Sequence, residues 1–222
     1  MRFCKSITKK VMGVTTRSML FKARTDSACL LEKLKRKLKH KGARQGILSK
    51  KNVLDWCFPS STFVKRLSPC QEKKWGMSLL GYKTNQWTTR CGESILEDAL
   101  LRLDKNPKRL DKKTQLKGEN GRHLVPDFET DDALYECKAR TYTTTGTAGE
   151  KILGTPWKYS ECFKLYKKPL YIVCMGYQEK EAENDFCLFN TKSHVRKQLL
   201  DCFERQANIK FIKFTDLLKQ LL

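Results

Sequence analysis

The segment HLVPDFETDDALYECKAR, residues 123–140, sets Asp127 directly after Pro126 and then, past eight intervening residues, places Glu136, Cys137 and Lys138 in an apolar run. Two strands turning at ETDD would bring Asp127 and Glu136 side by side. Strand alternation then puts Glu136 and Lys138 on one face and the Cys137 side chain on the other, in the core. Two adjacent carboxylates can share a hard cation such as Mg²⁺, for which Mn²⁺ can substitute. The Cys137 carbonyl would complete a partial shell that stays open to a phosphate oxygen. Lys138, beside that shell, can orient or deprotonate an attacking water and offset the charge that gathers on the phosphorus oxygens in the transition state. This is the equipment of phosphodiester hydrolysis. As an ordinary charged hairpin the same groups would form a solvent-facing pair worth only a few tenths of a kcal/mol. The apolar residues around both acids argue against that plainer reading.

The elements that must position these groups can be read on either side. CGESILEDALLRLD spaces Ile95, Leu96, Ala99, Leu100 and Leu103 as a helical stripe, with Glu93 and Glu97 together on its flank and Pro107 closing it. Strands are expected over 112–117, 122–129 and 133–140, a three-stranded antiparallel meander whose last two members form the hairpin. A helix over 149–167, interrupted at Pro156, leads to PLYIVCMG at 169–176, which is apolar on both faces and so belongs at the centre of a sheet. TKSHVRKQLLDCFERQA reads as a helix, NIKFIKF as a strand and TDLLKQLL as a closing helix. The fold class expected is α/β.

Ahead of this core, expected over 91–222, residues 1–90 form a basic lobe. Residues 1–25 contain no acid, the composition of a flexible basic arm and also of a transit peptide. A helix over 27–40 turns Leu30, Leu31, Leu34 and Leu38 inward and a Lys/Arg-rich face outward. The stretch 52–90 is expected to be irregular, with Trp56, Trp75 and Trp87 interleaved with basic residues. Such interleaving suits a lobe that reads nucleic acid, although each Trp taken singly fits a core.

Across 222 residues, 45 Lys and Arg face 24 Asp and Glu, a net charge of +21. A field of that size favours a polyanion partner held through counterion release. No apolar run approaches the roughly 18 residues of a membrane span. The ten cysteines fall singly, without a CxxC pair, and only three histidines accompany them. That pattern fits reduced thiols in an intracellular protein better than a zinc site or a disulfide framework.

Taken together, Pro126-Asp127, the eight-residue spacing and Glu136-Cys137-Lys138 resemble the PD-(D/E)XK signature of restriction-endonuclease-like nucleases. The resemblance covers about residues 91–176. It implies a core of helix, three-stranded antiparallel meander, helix and strand, with Asp127, Glu136 and the Cys137 carbonyl on the metal and Lys138 as catalytic lysine. A helix before the hairpin supplies a further acid in that family, and GESILEDAL is similar to that segment: Glu97 matches best and Glu93, one turn earlier, is the alternative. Glu150 or Lys151 occupies the place from which the next helix can add a group near the scissile phosphate. The reaction implied is Mg²⁺-dependent hydrolysis of double-stranded DNA, leaving 5′-phosphate and 3′-hydroxyl ends. A type II restriction endonuclease is the first reading, acting as a homodimer if its site is palindromic. A structure-selective repair or recombination nuclease is the second, and a DNA-binding module that keeps the fold without the reaction is the third. The Thr-rich loop TYTTTGTAG, 141–149, is expected to approach the DNA backbone. The Lys- and Cys-rich composition and the VTTRSM opening resemble a large DNA virus of eukaryotes, which implies the virion, cytoplasm or nucleus of an infected cell. A mitochondrial enzyme is a further alternative.

Overall fold

The computed structural model describes residues 26–40, 44–81, 87–111, 116–143 and 148–222. The acid-free arm, most of the expected 112–117 strand and the centre of the Thr-rich loop lie outside these residues.

Helix α1, 26–39, buries Leu31, Leu34 and Leu38, as its periodicity requires. The stretch expected to be irregular is instead mostly helical: α2 (Val53–Cys57), α3 (Thr62–Lys65) and α4 (Pro69–Leu80). Local chemistry explains α4. Ser68 and Gln71 form a reciprocal capping box, Pro69 sits in the first turn, and Gly81 closes the helix at φ 67°. The two shorter helices contain too few turns for a periodic stripe and depend on packing. Their aromatic residues face inward: Trp56 is fully buried, and its ring lies 5.9 Å from that of Trp75.

Next comes α5 (Trp87–Arg102), the helix expected from the Ile95–Leu103 stripe. A five-stranded open mixed sheet follows in the order β1 (Lys108–Arg109), β2 (Phe128–Glu129), β3 (Leu134–Arg140), β4 (Leu170–Gly176) and β5 (Ile209–Lys213). The first three strands are antiparallel, and β4 and β5 continue in parallel. A short strand, β1, lies just before the expected 112–117 segment, most of which is outside the described residues, and of 122–129 only the last two residues are strand, with Lys117 and His123 forming an isolated bridge. Between β3 and β4 the helix expected over 149–167, with an interruption at Pro156, is three pieces: α6 (Ala148–Leu153), α7 (Thr155–Lys158) and α8 (Cys162–Tyr166). The breaks fall at Gly154 and after Tyr159, because Pro156 fits the first turn of a new helix but not the interior of a long one. Helices α9 (Tyr177–Asn184), α10 (His194–Ala207) and α11 (Phe214–Lys219) complete the chain.

The sheet divides two apolar layers. One face of β3 and β4 carries Tyr135, Val173 and Met175 against Ile95, Leu96, Leu100 and Phe214, in a cluster that also includes Leu34, Val53, Trp56 and Phe58. The N-terminal helices therefore share a core with the sheet. On the other face Leu134, Ile172 and Cys174 meet Ile152, Tyr159 and Cys162 from α6 to α8. β4 lies between β3 and β5 and is buried nearly throughout, the central position expected of it. All nine described cysteines are free. Among the described residues no helix is long and apolar enough to cross a membrane.

Candidate active site

The register of the hairpin decides what meets what. Phe128 pairs with Tyr135 and Glu129 with Leu134, so one further step sets Asp127 opposite Glu136. Asp127, just before β2, accepts a 2.7 Å hydrogen bond at Oδ2 from the Cys137 N–H. In a strand the N–H and C=O of one residue point to the same edge, so the Cys137 carbonyl shares the edge that Asp127 occupies. The Cys137 thiol turns the other way. An ideal Cβ on Gly92 of α5 would lie 3.1 Å from its sulfur and 2.8 Å from the Ala139 Cβ. The glycine lets α5 close onto β3, and the residue after it is Glu93.

Glu136, only 5% exposed, is held at both oxygens. Oε1 accepts from Lys138 Nζ at 2.7 Å and Oε2 from the Tyr159 hydroxyl at 3.0 Å. That hydroxyl also lies 2.7 Å from the Val125 carbonyl and accepts from Lys158 Nζ at 2.7 Å. Its one proton thus has two acceptors, while Lys158 holds the phenol from the outer side. Across the sheet edge, Arg109 of β1 donates to Glu93 and, at 3.3 Å, to Glu97, with its guanidinium 4.8 Å from the centre of the Phe128 ring. The Glu93 side chain is 12% exposed and that of Glu97 38%.

Electrostatics follow from this crowding. Burial pushes the Asp127 carboxyl up to about 7, and the charges of Glu136 and Glu93 push in the same direction. The Cys137 N–H and the Lys138 ammonium oppose the rise. For Lys138 burial disfavours the charge, but Glu136 and Asp127 outweigh it and raise the pKa, so the lysine is a firmly protonated cation in this arrangement. Burial, then Glu136, drives the Tyr159 phenol upward, so it is a donor throughout the ordinary pH range.

The structure therefore brings together Asp127, Glu136, Lys138 and the backbone of Cys137. The charge of Glu93 acts on Asp127, and Glu93 and Glu97 share Arg109, the Glu97 side chain being the more exposed of the two. Glu150 and Lys151 lie exposed on α6, and among the described residues neither bonds to Asp127, Glu136 or Lys138. The segment after β3 delivers Tyr159 and Lys158 instead. These two, and Arg109, were missed by sequence reasoning. Thr155-Pro156 as a helix start was the one available signal for the first pair, and nothing local marks Arg109.

Among the described residues no three His, Cys, Asp or Glu side chains stand close enough to enclose a metal ion. The two carboxylates and the strand carbonyl suit an ion that keeps part of its water shell, and a cation would relieve the burial and like charge that raise the Asp127 carboxyl. Comparisons with protein-family models, with curated proteins and with solved structures found no match.

Proposed function

We propose that the chain is a metal-dependent deoxyribonuclease that hydrolyses phosphodiester bonds in DNA to 5′-phosphate and 3′-hydroxyl ends, on a core of the PD-(D/E)XK restriction-endonuclease-like type. The observation that carries this reading is the meeting of Asp127, Glu136 and Lys138 at the β2–β3 hairpin, with the charge of Glu93 on α5 also acting on Asp127. The order α5, antiparallel β1 to β3, short helices, β4 supports the fold assignment.

Asp127, one oxygen of Glu136 and the Cys137 carbonyl are the groups that would hold Mg²⁺, with Mn²⁺ able to replace it. When bound, such an ion lowers the pKa of a coordinated water and polarises the phosphoryl oxygen. The protein's own groups do the rest. Lys138 sits 2.7 Å from Glu136, close enough to orient a water for attack and to stabilise charge that is greater in the transition state than in the ground state. Tyr159, backed by Lys158, fixes the Glu136 carboxylate in one orientation. Arg109 restrains Glu93 and offsets part of the acid charge that would otherwise repel a phosphate. The net charge of +21 supplies attraction for the nucleic-acid backbone.

Site-specific cleavage of the type II kind, by a homodimer on a palindrome, is the first form of this activity, and structure-selective cleavage the second. Incubation of the purified protein with phage DNA and Mg²⁺ tests both. Discrete bands support site-specific cutting, and nicking confined to branched or partly unpaired DNA supports the second form. Binding without cleavage in either metal would leave a DNA-binding module.

A further inference from the structure

Trp157 on α7 is 81% exposed, whereas Trp56 is fully buried and Trp75 partly so. Its neighbours in α7 separate cleanly: Thr155 and Pro156 are buried, and Trp157 and Lys158 face solvent. Leu153 and Phe163, on either side of it in the chain, are also exposed large apolar residues, and Lys151 and Lys164 are exposed nearby in sequence. The indole is one residue from Lys158, whose ammonium leads through two hydrogen bonds, 2.7 Å to the Tyr159 hydroxyl and 3.0 Å onward, to the Glu136 carboxylate. An aromatic ring left in water this close to the candidate catalytic carboxylate, among lysines, has the character of a contact surface.

We infer that Trp157 is a stacking platform for an unpaired nucleobase of a single-stranded or splayed DNA substrate, next to the scissile phosphate. The inference rests on the nucleic-acid reading of the site and narrows its substrate class. Within an intact duplex a base offers only its edges, in the grooves, and its faces are covered by its neighbours. An indole face can be used only by a base that has left the stack, while lysines beside it hold the backbone. A second copy of this chain is the poorer occupant. Exposed Lys151, Lys158 and Lys164 lie close to Trp157 in the chain, and two copies meeting at it would set these like charges against one another.

The test uses the full chain in chelator, so that no cleavage is required. Affinity is measured for a single-stranded oligonucleotide carrying 2-aminopurine and for the matching perfect duplex, with the parent, Trp157→Ala and Trp157→Phe. Trp157→Ala should weaken single-strand binding about tenfold and abolish the stacking-dependent quenching of 2-aminopurine, with duplex affinity changed less than about twofold. Trp157→Phe should restore most of both signals. Equal losses on the two DNAs, or no loss on the single strand, would overturn the inference, as would a dimer that dissociates on Trp157→Ala with DNA binding unchanged. Because this readout is independent of Mg²⁺ hydrolysis, a protein that stacks the base but never cuts would sink the nuclease reading alone. One that cuts but shows no Trp157-dependent stacking would sink this inference alone.

Discussion

Glu72 and Asp127 are both buried acids tied to β3 or its continuation, yet their surroundings differ in kind. Glu72, in the first turn of α4, accepts from Trp56 Nε1 at 2.8 Å, from the Tyr142 N–H at 3.0 and 3.1 Å, and from the Thr143 hydroxyl at 2.7 Å. Donors surround it, and its effect is to fasten the N-terminal helices to the chain leaving β3. Asp127 has one backbone donor and feels the charges of two other acids, Glu136 and Glu93, which are themselves paired with Lys138 and Arg109. Glu179 separates the two influences. Burial lifts its carboxyl to about 7, as it does that of Asp127, but both Glu179 oxygens accept from Thr215. A raised pKa reports burial in both places. At the hairpin the charges of Glu136 and Glu93 add to the effect of burial on Asp127, and a bound cation would relieve that repulsion.

The comparison breaks most visibly at the hairpin acids. Asp127→Asn or Glu136→Gln should reduce Mg²⁺-dependent DNA cleavage by about 100-fold or more while DNA binding, measured by gel shift in Ca²⁺, is kept or tightened as carboxylate–phosphate repulsion is relieved. Glu72→Gln should do the reverse. It turns an amide N–H₂ toward donors that need an acceptor and should cost about 1–3 kcal/mol in urea unfolding, with the turnover of the folded fraction little changed.

Proton linkage sharpens the same contrast. The Asp127 carboxyl is raised from its ordinary 3.8 to about 7, so the stability it contributes is present below about 4 and is lost as pH rises through about 7. Metal-free parent protein should therefore lose stability, on the order of a few kcal/mol, between pH 4 and 8 relative to Asp127→Asn. Glu179 slopes the same way in both proteins and cancels from the difference. Thermal melts over this range check the sign, and a difference that grows in the parent's favour as pH rises would contradict it. A smaller effect is expected within α5. Glu93→Gln should lower cleavage about tenfold and Glu97→Gln by less than about threefold, the ranking their positions about Arg109 imply. The opposite order in single-turnover assays would transfer the role to Glu97.

How much of this was legible in the sequence depended on the range of the forces involved. Alternation along β3 placed Glu136 and Lys138 on one face because a strand has a period of two, whatever surrounds it. The Ile95–Leu103 stripe and the apolar β4 were equally plain, since long periodic elements carry their own signal. The helices α2 to α4 were not, because two of them are shorter than the periodicity needed to recognise them. Trp56 and Trp75, which sit among lysines but singly fit a core, are core residues: Trp56 is buried and bonded to Glu72, and Trp75 packs on it. No local pattern in a basic stretch distinguishes an inward aromatic from an outward one. Glu93 and Glu97 stand one turn apart on the same flank, so the sequence offers both as the helix acid, and the close approach of α5 to β3 at Gly92 is a tertiary contact it does not show. Tyr159 reaches Glu136 only because the chain breaks at Gly154 and restarts, a tertiary outcome that Pro156 hinted at without fixing.

The central claim is that Lys138 acts on chemistry and not on folding or binding. Purified Lys138→Ala, compared with the parent in Mg²⁺ for cleavage and in Ca²⁺ for DNA affinity, tests it most directly. The account predicts cleavage reduced by about 100-fold or more, with affinity within a few fold of the parent and an intact melting transition. Cleavage by Lys138→Ala at the parental rate would contradict it, and would return Asp127, Glu136 and Lys138 to the status of a charged hairpin.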